Sequence, residues 1–214
     1  PSISTDPSYA ADCQKAAKML CEDLISLGAD ARIDETPGHP MVVGHLKGDG
    51  PHVIFYGHYD VQPVDPIELW ARDPFDPAVD DGPSGPCIRA RGSSDDKGQL
   101  MTFVEACRAW LAVHENLPIS LSFFFEGEEE SGSPSLIPYL KEKADELKAD
   151  MALICDTGLY GQNRPAIITS LRGLVGEEII VEAASKDLHS GMYGGPAANP
   201  NKIVARILAS LHDE

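Results

Sequence analysis

No run of apolar residues in this chain approaches the roughly 18–20 needed to cross a bilayer. Its opening residues show no basic, apolar, small-residue pattern of a secretory leader. Positive charge is scarce: 17 Lys and Arg stand against 34 Asp and Glu, a net charge of −17. Nucleic acid and anionic membranes are bound through clustered cations, so neither is expected as a partner. Cysteine is sparse and odd in number at 5, scattered over Cys13, Cys21, Cys87, Cys107 and Cys155 with no CxxC spacing. That argues against a disulfide framework, and most of these cysteines lie in apolar helix or strand contexts, where a free thiol behaves as a small hydrophobe. None has the cationic neighbours that make a reactive thiolate. A reducing, cytoplasmic setting is the resulting expectation. Internal repeats and low-complexity tracts are also absent.

What is present suits a globular α/β chain. The 214 residues suffice for one well-cored domain or a domain and a fraction. Apolar residues from Tyr9 to Leu27 recur at helical spacing (Ala16, Leu20, Leu24, Leu27) and stop at Gly28, a helix C-cap residue. Short strands are predicted near Ala31–Ile33 and Met41–Leu46, then a buried parallel strand at Val53–Tyr56. Residues Asp65 to Arg91 are rich in Pro, Asp and Gly and read as a long excursion. A helix over about Gly98–His114, a strand Ile119–Phe125, a helix Ser135–Lys148 opened by Ser133 as N-cap, and a buried strand Met151–Cys155 follow. This alternation predicts a mostly parallel α/β sheet with helices on both faces. Beyond it, Ile167–Ser170 and Glu177–Ala184 read as strands without an intervening helix, and Asn201–Leu211 as a helix. They mark the start of a second, α+β unit.

Acidic and imidazole residues recur at the downstream ends of the buried strands. His58 and Asp60 close HVIFYGHYD, Asp95 follows RARGSS, Glu129 and Glu130 follow ISLSFFFEGE, and Asp156 ends MALICD. Open α/β sheets bind ligands at these ends. Singly, each has a plain structural explanation: a core histidine beside a turn Asp, a helix-capping Asp95, a solvated acidic loop, a turn-forming Asp156. Together, carboxylates at the edge of a core repel one another and resist desolvation unless a cation neutralises them. His58 and Asp60 lie on one face of an extended segment. There one can hold a metal while the other fixes the remaining imidazole nitrogen.

The blocks GHYDVQP, ARGSSDDKG, EGEEESGS, ICDTG and DLHSGMYGG resemble, in this order, the signatures of the M20 (aminoacylase/carboxypeptidase/dipeptidase) metallopeptidases. The wording is similar to that of the carnosinase-like, Cys-Gly dipeptidase-like branch. The resemblance implies a zinc-peptidase-like catalytic domain over residues 1–174, followed over 175–214 by the beginning of a lid and dimerisation domain. It implies two divalent metal ions, zinc foremost and manganese or cobalt as alternatives. His58 and Asp156 would ligate one, Glu130 the other, and Asp95 would bridge them. Glu129 would be the general base, Asp60 the partner of His58, and His189 a lid residue stabilising the oxyanion. The family's further histidine ligand has no counterpart at His114 or His212, so the chain is expected to be an internal piece of a longer protein. The implied activity is hydrolysis of a small peptide by metal-activated water, in a homodimer. Two alternatives stand beside it: an N-acyl amino acid deacylase using the same site, and a non-catalytic binding or dimerisation relative.

Overall fold

Buried positions on the first helix, α1 (Ala10–Ser26), fall at Cys13, Ala17, Cys21 and Leu24, one stripe at helical spacing. Ala16 and Leu20 flank that stripe rather than centring it. Two thiols therefore occupy the middle of the packed face. The computed structural model describes residues 1–161 and 164–212, so the last two residues of the segment expected over 175–214 lie outside the described residues. Before α1 a 3₁₀ turn, Pro7–Tyr9, is capped by the Asp6 carboxylate, which accepts the Ser8 N–H at 2.9 Å. After α1, Gly28 at φ +96° ends the helix as its sequence position predicts.

The strands are β1 (Asp30–Asp34), β2 (Met41–Leu46), β3 (His52–His58), β4 (Ala78–Gly82), β5 (Gly85–Arg89), β6 (Ser120–Glu126) and β7 (Met151–Ile154). The main sheet has the order β1-β2-β6-β3-β7. β1 is antiparallel to β2, and β2 to β6, while β3 lies parallel to both β6 and β7. Only β2 opposes the common direction, so the sheet is mixed but mostly parallel. The parallel pairs need crossovers. These are supplied by α2 (Lys97–Leu111), between β3 and β6, and by α3 (Leu136–Glu142), between β6 and β7.

Alternation along β6 sorts its phenylalanines. Phe123 and Phe125 join Phe55 in a core with α1 and α2 residues, and Phe55 stacks on Phe103 of α2 at 3.8 Å. Phe124 faces the other way and stacks on Tyr139 of α3 at 5.6 Å, beside Met41, Val43 and Leu147. Helices thus cover both faces. Burying each such ring stabilises by roughly 1.5–3 kcal/mol.

Several local expectations need correction. The excursion after Asp65 contains its own antiparallel hairpin, β4-β5. The third helix begins later than expected: Ser133 has φ +51° directly after Gly132 at +89°, so it cannot act as an N-cap. Ser135 takes that place, and its N–H is satisfied by Glu128 Oε2 at 2.9 Å. α3 also ends at Glu142, six residues before Lys148, because the chain turns back to bury Leu147 against the second core. β7 pairs only with β3 at the sheet edge and is exposed along its length, with Met151 at 63%, where a buried strand was expected.

Two compact units are defined by contacts, Pro1–Ile167 and Ile168–Glu214. The second carries the short α4 (Ser190–Tyr193) and α5 (Pro200–Ser210), the latter capped by Asn199 as its Asn-Pro entry predicts. Among the described residues no strand forms at Ile167–Ser170 or Glu177–Ala184, and residues such as Ile167 and Leu174 are exposed. No helix among the described residues is long and apolar enough to cross a membrane.

Candidate metal centre

The parallel ladder aligns the carboxyl ends of β3 and β6, with His58 opposite Glu126, and it brings β7 alongside β3 so that Asp156 emerges beside them. His58 is fully buried there. Its backbone N–H donates to Asp96 Oδ2 at 3.1 Å. Its ring Nδ1 faces Asp60, with the carbonyl oxygen and Oδ1 each at 3.2 Å. On the other side, Nε2 lies 3.1 Å from Asp95 Oδ1 and 3.6 Å from Asp156 Oδ2.

Two groups of donor atoms, each within 4.8 Å of one another, meet at this imidazole: His58 with Glu129 and Glu130, and His58 with Asp95 and Asp156. His58 is common to both groups, whereas Asp95, with a side chain 63% exposed, belongs to the second alone. Asp60 stands behind the cluster rather than in it. Fully buried, it accepts the Glu129 N–H at 3.2 Å and the Glu130 N–H at 3.0 Å, fixing the 3₁₀ turn Glu129–Ser131 that presents both glutamates.

His189 lies in the second unit, exposed, where its Nδ1 accepts the Gly191 N–H at 3.1 Å and caps α4. His114 is exposed and lies against the Trp110 ring at 4.4 Å. His212 is exposed beyond α5.

Electrostatics follow from burial and proximity. Burial alone would lower the His58 pKa, but the bond to Asp60 and the charges of Asp60, Asp96 and Asp156 raise it to about 9. Asp60 shows the reverse balance: burial would raise it, and the bonds from His58 and the Glu130 N–H, with the charge of His58, hold it below the ordinary carboxylate value. Burial lifts Glu129 above the usual range, an effect eased by His58 and reinforced by neighbouring carboxylates. Asp96, 1% exposed, is pushed up to about 6 by burial, and its Oδ1 has no hydrogen-bond partner among the described residues.

Several of these supports are not distinguished by the sequence motifs. Asp96 was hidden beside Asp95, with no pattern to show which of the pair turns inward. Glu126 is fully buried, accepting from Tyr56 Oη at 2.6 Å and Ser133 Oγ at 3.1 Å. The alternation that places Phe124 beneath α3 places Glu126 on the same face, and that signal was available. Glu128 is a clamp: it takes the His39 N–H at 3.0 Å and caps α3. Between these glutamates, any Cβ on Gly127 would enter the Tyr59 ring, whose hydroxyl donates to the Pro40 carbonyl at 2.6 Å. Gly127→Ala is expected to cost about 1–3 kcal/mol by displacing that ring. Urea unfolding measures it, and an unchanged midpoint contradicts the packing.

The donor chemistry fits a divalent cation. An imidazole nitrogen and four carboxylates, from Asp95, Glu129, Glu130 and Asp156, converge with no thiolate. Among the described residues no Lys or Arg forms an ion pair with any of those four; Glu130 has only the Gln62 amide, donating at 2.7 Å. Nitrogen and oxygen ligands gathered at the carboxyl ends of parallel strands define a candidate metal centre in an α/β protein.

The chain belongs to the peptidase family M20/M25/M40, whose family model matches residues 54–213. It is 31% identical over 230 residues to a Cys-Gly metallodipeptidase of Saccharomyces cerevisiae, with 100% of this chain and 47% of that protein covered. It is 33% identical over 227 residues to the human Beta-Ala-His dipeptidase, covering 99% of this chain and 44% of that protein. The solved structure of the di-peptidase Dug1p from Saccharomyces cerevisiae superposes with a TM-score of 0.71 at 27% identity, covering 100% of this chain and 48% of that one. The chain spans about half the length of the curated relatives it matches.

Proposed function

We propose that the protein hydrolyses the amide bond of a small peptide, a dipeptide, at a centre of two divalent cations. The observation that carries this is the pair of donor groups meeting at buried His58. The names of the metallodipeptidase relatives support the substrate class. His58, Asp95 and Asp156 would hold one ion and Glu130 the other, with Asp95 as the carboxylate that would be shared between them. Zinc suits this set best, with manganese or cobalt as alternatives. A divalent pair there supplies Lewis acidity and lowers the pKa of water toward about 7.

The chain's own residues do the rest. Glu129, with a raised pKa, takes a proton from the attacking water and delivers it to the leaving nitrogen, giving a free amine and a carboxylate. Asp60 keeps the His58 ring oriented and the glutamate turn in place. His189 is assigned to the developing oxyanion. Residues 1–174 then form the catalytic domain, and 175–214 begin a lid through which the protein dimerises in the cytoplasm. Metal analysis of the intact protein, with a panel of dipeptides and N-acyl amino acids, tests the reading. Chelator-sensitive dipeptide hydrolysis supports it, acyl-amino acid turnover alone moves it to a deacylase, and failure to retain any divalent ion refutes it.

Proton linkage gives a second check. At neutral pH the metal-free imidazole, with its pKa at about 9, carries a proton that a ligand nitrogen must give up. Metal loading is therefore expected to release about one proton, with apparent affinity rising about tenfold per pH unit toward that value. The sign for stability is opposite. The folded pKa lies above the ordinary histidine value of 6.5, so this contribution to metal-free stability is complete below that value and is lost as pH rises through about 9. Calorimetry in buffers of different ionisation enthalpy measures the release; identical heats would contradict it.

A further inference from the structure

We infer that Lys97 and Ser2 are positioning residues for this centre, tying the loop that carries Asp95 to the strand end that carries His58 and Asp60. The inference rests on the metal-hydrolase reading above. His58 and Asp60 share one continuous segment, while Asp95 arrives on a separate loop, and a shared ion requires the two to be held in fixed register.

The tie is a short chain of hydrogen bonds. Lys97 Nζ donates to Ser2 Oγ at 2.8 Å. Ser2 Oγ in turn donates to the carbonyl oxygen of Tyr59, the residue between His58 and Asp60, at 2.6 Å. Ser2 is 1% exposed. The backbone around it is strapped to the same segment: the Val61 N–H donates to the Ser2 carbonyl at 2.9 Å, and Ile3 bridges Val61 in parallel. Lys97 follows Asp95 by two positions at the start of α2, so its side chain anchors the ligand loop at its root.

The route is cleared by a glycine. Gly92 has φ +81°, and a Cβ there would approach Val61 Cγ1 at 2.8 Å and Lys97 Nζ at 3.3 Å. Lys97 spends its hydrogen bond on a hydroxyl and not on a carboxylate, although carboxylates crowd the site. A lysine placed only to offset negative charge would contact one of them. The geometry instead assigns it to holding two segments together.

Charge and position predict opposite outcomes, and this separates them. Removing a cation beside a cation site strengthens metal binding by Coulomb's law; removing a tether weakens it. Zinc and manganese affinities of the intact protein, by chelator competition, are expected to fall about tenfold or more in both Ser2→Ala and Lys97→Met. The double variant should be no weaker than the worse single one, since both break the same path. Should Lys97→Met fail to fold, as circular dichroism would show, Ser2→Ala decides alone, for it deletes one oxygen and no charge. Unchanged affinity in Ser2→Ala, or tighter binding in Lys97→Met, overturns the inference while leaving the metal centre standing. A wild-type protein that binds neither ion overturns both.

Discussion

Glu129→Gln is expected to lower turnover by roughly 10²–10⁴-fold while leaving divalent-metal binding close to wild type. The two adjacent glutamates share one turn and one group of donors with His58, so proximity alone does not divide their labour. Their surroundings differ. Glu130 is held by the Gln62 amide at 2.7 Å, a partner that orients a carboxylate for a fixed ligand role. Glu129 has a pKa raised by burial, which brings it nearer the neutral range that a proton-transferring base needs. Glutamine in its place keeps the shape and the backbone N–H bond to Asp60 Oδ1, but it cannot accept a proton. Glu130→Gln should behave in the opposite way, losing metal first and activity with it. Steady-state kinetics on a dipeptide beside chelator competition separates the two. Equal metal loss in both variants, or a highly active Glu129→Gln, contradicts the assignment.

Asp60→Ala should damage both stability and metal binding, because one buried carboxylate satisfies three donors. Its removal leaves the His58 Nδ1 side and the N–H groups of Glu129 and Glu130 without this acceptor. Breaking a buried charged pair at one partner typically costs about 3–5 kcal/mol. Loss of a histidine's carboxylate partner costs about 10–100-fold in metal affinity. Asp60→Asn, which keeps one oxygen, should fall between alanine and wild type. Urea unfolding of the metal-free protein reads the first effect and metal titration the second. A stability loss under about 1 kcal/mol would mean that water replaces the carboxylate at these donors.

Hydrophobic period and turn residues made most of the catalytic-side framework legible. Met41–Leu46 forms as expected, and the other predicted strands of the main sheet lie within a residue or two of their bounds. Gly28 and Asn199 mark helix ends because φ freedom and side-chain capping are local properties. What failed was non-local. Ser133 carries the composition of an N-cap, yet Glu128, reaching seven residues ahead, performs the capping. Met151–Ile154 is as apolar as any buried strand, but edge position is a property of the sheet and leaves it exposed.

The same division runs through the site. Sequence by itself determined which residue types stand at the strand ends, because side-chain alternation and strand-terminal placement are written in the order of residues. His58, Asp60, Asp95, Glu129, Glu130 and Asp156 could all be named from it, as could the excess of carboxylate over cationic charge. Only the tertiary structure decided that parallel pairing of β3 with β6 and β7 draws these ends together. It also decided that Asp96, not Asp95, turns into the core, and that His58 rather than Asp95 is common to both donor groups. Burial and distance between residues 37 to 98 apart depend on how crossovers pack, and no local period encodes that.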